Sequence, residues 1–113
     1  MDKTTATTIF ESLSSSVRLD IFRLLVKQGL NGMVAGEIAN TLSIPANNLS
    51  FHLKAMLHAG MITVVQEGRF LRYRANLELT FELIDYLTAE CCAGDVGQCS
   101  SLNTSAGCKP QTN

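Results

Sequence analysis

A chain of 113 residues has room for one domain with a modest hydrophobic core, a size at which oligomerisation adds useful stability. At 46% hydrophobic and 17% charged it has an ordinary globular composition. No apolar run approaches the ~20 residues of a membrane span, and no basic stretch leads into an apolar one at the N-terminus. The expected location is the cytoplasm, with no membrane partner, and the net charge of −1 argues by itself against nucleic acid.

Residues 1–6 are polar and are expected to be loose. Thr7 or Thr8 opens a short helix carrying Ile9, Phe10 and Leu13. Ser14, Ser15 and Ser16 offer a cap for a second helix from Val17 to about Gln28, which stops at Gly29. Val17, Ile21, Leu24 and Leu25 keep its helical period, and Asp20 with Arg23 forms an i,i+3 pair. A third, short helix runs from Val34 to Leu42, with Glu37 near its start and no good capping residue before it.

A fourth helix follows the tight link Ser43-Ile44. Pro45 suits its first turn and Gly60 its end. At about 100° per residue, Leu49, Leu53, Met56 and Leu57 form one apolar stripe. Asn47, Phe51, Lys54 and His58 fall opposite, with Asn48, Ser50 and His52 on the flanks. The outward groups are amide, hydroxyl, imidazole and ammonium with one aromatic, a set that matches base edges and phosphates in a DNA major groove. An ordinary amphipathic helix with a solvated polar face would carry the same pattern. A short helix, a turn of about three residues and a longer helix with a polar N-terminal half make a helix-turn-helix.

Met61–Gln66 and Phe70–Ala75 are rich in β-branched and aromatic residues, with Glu67-Gly68-Arg69 between them. They read as a hairpin in which Gly68 takes a positive φ. Arg72 and Arg74 share a face with Phe70, while Leu71, Tyr73 and Ala75 share the other. A hairpin with Arg69 at its tip, placed directly after a helix-turn-helix, is a wing whose arginine suits a minor groove or a phosphate. A last helix, about Leu77 to Glu90, is apolar on two sides. One stripe is Phe81, Ile84 and Leu87; the other is Leu79, Leu83 and Tyr86. One side packs on its own domain and the second needs a partner. The expectation is therefore a two-fold homodimer through the first and last helices, with Ile9, Phe10, Leu79, Leu83 and Tyr86 at the seam.

The charge distribution supports the DNA reading. Residues 44–76 contain Lys54, Arg69, Arg72 and Arg74 against the single acid Glu67, whereas 77–99 contain Glu78, Glu82, Asp85, Glu90 and Asp95 with no Lys or Arg. Local potential, more than net charge, steers DNA association. The expected fold class is thus mainly α with a small β-hairpin, a winged helix-turn-helix domain over 1–92. A flexible tail of Gly, Ser, Thr, Asn and Pro follows over 93–113. All four cysteines, Cys91, Cys92, Cys99 and Cys108, fall in the last quarter, which in a cytosolic protein points to metal, metalloid or redox chemistry before a disulfide framework.

The order and spacing of several segments resemble the ArsR/SmtB family of metal-sensing repressors. They are Ser16–Leu25 (SVRLDIFRLL), Gly36-Glu37-Ile38-Ala39, Leu49–Lys54 (LSFHLK), His58–Ile62 (HAGMI) and Glu67-Gly68-Arg69. The resemblance covers roughly residues 7–92. It implies a homodimeric winged helix-turn-helix repressor that sits on a palindromic operator and leaves it when an inducer binds. Carried over, it places Asn47, Asn48, Ser50, Phe51, His52 and Lys54 in or beside the groove and Arg69 at the wing tip; Arg72, on the same hairpin, is a further expected DNA contact. Phe51 would meet a thymine methyl or the sugar-phosphate backbone, and His52 a base or phosphate.

Two family patterns are absent. Val34-Ala35-Gly36 stands where an arsenic-sensing Cys-Val-Cys would be, and the last helix lacks the histidines of the zinc pattern. What remains, Glu90-Cys91-Cys92 and then Cys99, looks like the subgroup that senses arsenite through cysteines after the last helix. Trivalent arsenic or antimony is soft and thiophilic, so Cys91, Cys92 and Cys99 form its expected ligand set. Adjacent helical residues point about 100° apart, so Cys91 and Cys92 need local fraying to share an ion, and Ala93-Gly94 permits it. Two alternatives stay open on the same fold: a thiol redox switch closing Cys92 onto Cys99 or Cys108, and a zinc or other soft-metal site. An arsenate-reductase-like enzyme is the contrasting class. It is disfavoured because the chain has no phosphate-cradling loop and no base placed near a thiol.

Overall fold

In a computed structural model of the chain, residues 1–90 and 97 are described. The described residues fall into two units, 1–83 and, beyond it, 84–90 with 97. Helix α1 spans Lys3–Leu13 and α2 Ser16–Gln28; a 3₁₀ turn at 29–31 leads to strand β1, Met33–Val34. Then come α3, Ala35–Leu42, α4, Ala46–His58, strands β2, Ile62–Glu67, and β3, Phe70–Ala75, and finally α5, Leu77–Leu87. This is a winged helix-turn-helix. Among the described residues no helix is long and apolar enough to cross a membrane.

The local chemistry explains most of these boundaries. Ser15 is the serine that caps α2, its Oγ accepting from the Arg18 N–H at 3.3 Å. The N-terminus corrects the expectation of a loose start: α1 begins at Lys3 because Asp2 accepts the Thr5 N–H at 2.8 Å. Helix α3 starts at Ala35, one residue later than its pattern implies, since Val34 belongs to β1. Glu37 reaches back to accept the Val34 N–H at 3.5 Å, which compensates for the missing capping side chain. Pro45 stands at the N-cap rather than in the first turn, in extended conformation, and its carbonyl accepts from Leu49 at 2.9 Å. The expected Asp20–Arg23 pair does not close; the ion pair within reach among the described residues is Arg72–Glu67 at 2.8 Å.

The sheet has three antiparallel strands in the order β1-β3-β2, one more than a simple hairpin. Met33 pairs with Tyr73 and Val34 with Arg72, while β2 pairs with β3 from Ile62↔Ala75 to Glu67↔Phe70. Glu67 thus belongs to β2, leaving a two-residue loop, Gly68-Arg69. Gly68 has φ +61° and Arg69 is not in the positive-φ region, which makes this a type II′ turn. Alternation puts Tyr73 in the core and Arg72 and Arg74 on the opposite face.

The core of the first unit is built from Ile9, Ile21, Leu25, Ile38, Leu49, Met56, Met61 and Ile62, all fully buried. Each such side chain contributes ~1.5–3 kcal/mol by leaving water. Asn76 ties α5 to the turn after α4: its Nδ2 donates to the Gly60 carbonyl at 2.8 Å, and its Oδ1 accepts the Leu79 N–H at 3.2 Å. The regular helix ends at Leu87, short of Glu90.

The two apolar stripes of α5 are used the other way round from the expectation. Leu83, 6% exposed, and the half-buried Leu79 face the protomer's own core, whereas Phe81, Ile84 and Leu87 are exposed along with Tyr86. In α1, Ile9 is 0% exposed and has no surface to offer a partner, while Phe10 is 47% exposed. Of the residues expected at the seam, Ile9 and Leu83 are thus buried within the single copy and Leu79 is half-buried, while Phe10 and Tyr86 are accessible.

Candidate nucleic-acid interface

Helix α4 owes its orientation to a narrow inward face. Leu49, Leu53 and Met56 are buried and Leu57 is half-buried against the core, a spacing that turns Asn47, Asn48, Ser50 and Phe51 of the first two turns outward. Asn47, Asn48, Ser50, Phe51 and Lys54 are all exposed, Phe51 at 67%. No Asp or Glu lies within Ala46–His58, so the surface presents donors, amides and one cation without an opposing acid. The Lys54 side chain makes no hydrogen bond or ion pair to another described residue.

His52 is placed differently from its neighbours. It is half-buried, and its Nδ1 lies 3.2 Å from Nη1 of Arg18 in α2. Its ring meets that of Phe51 edge-on, centroids 5.6 Å apart and planes at 70°. Arg18 also donates from Nε to the Ser12 carbonyl at 2.6 Å, which satisfies one of the last-turn carbonyls of α1. One guanidinium thus joins α1, α2 and the second turn of α4. Sequence reasoning did not find this role: Arg18 is one of several charged residues on α2, and no local signal marks which of them meets another helix.

In the wing, Arg69 sits at the turn with its side chain exposed and no hydrogen bond or ion pair to another described residue. Arg72, expected beside it at the DNA, has a different occupation. Its Nε donates to Glu67 at 2.8 Å and its Nη1 to the Asn31 carbonyl at 2.9 Å. The Glu67 hydrogen bond holds the Arg72 guanidinium above its ordinary pKa, so it stays charged throughout. Arg74 donates to the Leu30 carbonyl at 2.6 Å. These two arginines fasten the outer face of β3 to the turn at 29–31, and the cation left at the wing's end is Arg69. Cys91, Cys92, Cys99 and Cys108, the expected ligand set and its neighbour, lie outside the described residues.

Comparison with known proteins agrees with this architecture. A family described as a helix-turn-helix domain matches residues 13–65. Among solved structures, the chain is similar to HlyU from Vibrio cholerae, with 23% identity over 77% of this chain and 97% of that one, at a TM-score of 0.62. An ArsR-like transcriptional regulator from Rhodococcus sp. RHA1 matches with 22% identity over 94% and 96% of the two chains, at 0.66. A homodimeric winged helix-turn-helix DNA-binding domain from Mycobacterium bovis, a possible ArsR-family regulator, matches with 19% identity over 94% and 89%, at 0.63. No curated protein matches the sequence. Likeness at this level of identity establishes the fold.

Proposed function

We propose that the chain is an ArsR-type transcriptional repressor that binds a palindromic DNA operator as a homodimer and leaves it when trivalent arsenic or antimony binds Cys91, Cys92 and Cys99. The observation that carries the DNA-binding part is the acid-free outer face of α4, with Asn47, Asn48, Ser50, Phe51 and Lys54 exposed, beside a wing that ends in Arg69, unpaired among the described residues. Asn side chains match adenine edges, Lys54 and Arg69 match phosphates or a minor groove, and Phe51 matches a thymine methyl. The exposed Phe10 and Phe81 support association of two copies, which would set two recognition helices about 34 Å apart.

The inducer half rests on the donor set: three thiols suit a soft, thiophilic ion. Binding there would bias subunit packing against the DNA-bound arrangement, with a coupling of ~1–3 kcal/mol per effector. The test is to select duplexes from a randomised pool with the reduced protein, then titrate the labelled complex with arsenite. Release by arsenite, lost in Cys91→Ser/Cys92→Ser, is expected. A complex that survives saturation sinks the arsenite assignment. Release by oxidant alone or by zinc alone moves it to the corresponding thiol chemistry.

A further inference from the structure

We infer that Arg18 locks His52 into a single tautomer and so makes it a dedicated hydrogen-bond donor to DNA, an inference that rests on the DNA-binding reading above. Arginine carries only donors, so the nitrogen it meets, Nδ1 of His52 at 3.2 Å, must be the lone-pair nitrogen. The ring proton then sits on Nε2, on the far side of the imidazole from α2. Nε2 makes no hydrogen bond to any described residue. It also reaches solvent: Ser12 Oγ is the buried side-chain polar atom left without a partner among the described residues, and Nε2 is not another.

Two contacts hold the ring and a third anchors Arg18. Arg18 holds one edge, the Phe51 ring packs edge-on against it, and Arg18 itself is anchored by the Ser12 carbonyl at 2.6 Å. A side chain held this way loses little further freedom on binding, and a fixed N–H selects an acceptor such as a phosphate oxygen, guanine O6 or N7. Arg18 is the positioning residue; His52 is the contact. A second histidine, His58, lies in the last turn of the same helix, exposed and with no hydrogen bond from its ring to a described residue, and serves as an internal reference.

The experiment has two independent readouts on the full chain. Long-range ¹⁵N–¹H correlation without DNA is expected to show His52 protonated on Nε2 alone and His58 averaging between tautomers, with His52 joining the average in Arg18→Met. Affinity is then measured for a fluorescein-labelled duplex of about 30 base pairs selected by the wild-type protein from a randomised pool. His52→Asn keeps a polar group near Nδ1 but removes Nε2, and is expected to bind about tenfold more weakly. His52→Gln, which keeps a donor near Nε2, is expected to lose less. Arg18→Met should weaken binding similarly, and adding it to His52→Asn should cost little more. A His52 ring that averages like His58, full affinity in His52→Asn, or penalties that multiply independently would each overturn the assignment. Should Arg18→Met fail to fold, the wild-type ring and the two His52 variants still decide. A locked ring in a protein that selects no duplex overturns the DNA-binding reading and the donor role with it; binding with an averaging ring overturns the lock alone.

Discussion

Gly32 lies so close to the Tyr73 carbonyl that a Cβ at this position would collide with it, and the Arg74 side chain closes the same space at 2.7 Å. With φ at +60°, Gly32 also occupies a conformation that L side chains resist. The close approach is what lets β1 pair with β3. Gly32→Ala is therefore expected to destabilise the protein by ~2–4 kcal/mol, because neither backbone can yield without breaking the Met33↔Tyr73 pairing. Gly36→Ala, in α3 with open space around it, is expected to stabilise by ~0.5–1 kcal/mol. Urea unfolding of the two variants side by side checks the contrast.

Ser12 gives a prediction of the opposite sign. Its hydroxyl is buried and has no hydrogen-bond partner among the described residues, although its backbone carbonyl serves Arg18. Ser12→Ala removes the unsatisfied group, leaves the carbonyl in place and improves helix propensity. A gain of ~1–2 kcal/mol is expected, seen as a rise of several degrees in Tm by calorimetry.

The α1 and α5 surfaces separate association from folding. Phe10→Glu with Phe81→Glu changes two exposed side chains, so the variant is expected to keep its circular dichroism spectrum and sediment as a monomer where the wild type sediments as a dimer. Ile9→Ala, by contrast, opens a cavity in the core of a single copy and is expected to lose ~2–5 kcal/mol. An unchanged sedimentation coefficient in the double variant would remove these helices from the seam.

Arg69 and Arg72 are both cations on the wing but should behave differently toward DNA. Arg69→Ala is expected to weaken binding across all sequences and to lower the slope of log K against log salt by about one per subunit, hence about two for the dimer, without altering stability. Arg72→Ala releases Glu67 and the Asn31 carbonyl. Its effect is expected to be reproduced in large part by Glu67→Gln, as for a structural tie rather than a phosphate contact.

Asp2 sets an acid limit on the first helix. Hydrogen bonds from Thr5, through its side chain and its backbone N–H, hold the Asp2 carboxyl below its ordinary range. A carboxylate with a depressed folded pKa stabilises above its unfolded value, and that contribution fades as pH falls through the folded value. The start of α1 is expected to fray at pH below the usual carboxylate range, followed by the Thr5 amide shift, and Asp2→Ala should show the frayed shift at every pH.

What the sequence discloses about this fold is what local chemistry controls. The apolar spacing of α4, the serine cap of α2 and the positive φ of Gly68 follow from short-range rules, and all three are present in the structure. Three features are set by long-range packing and escape such reading. The pairing of β1 depends on a partner 40 residues along the chain at Met33↔Tyr73. Arg18 meets His52 across a sequence separation of 34. The choice between the two stripes of α5 cannot be made from periodicity, since both are apolar and only the shape of the core decides that Leu79 and Leu83 turn inward. Asp2, by contrast, is a local signal that the expectation of a loose 1–6 passed over: a cap residue three positions before Thr5 starts α1.

The short strand β1 has a mechanical consequence. Met33 and Val34 are stitched to Tyr73 and Arg72, and the very next residue begins α3. The hairpin is thus riveted to the front of the helix-turn-helix instead of trailing behind it on a swivel. Tilting the wing means dragging α3 along, so hairpin and helix-turn-helix are coupled as one stiff plate.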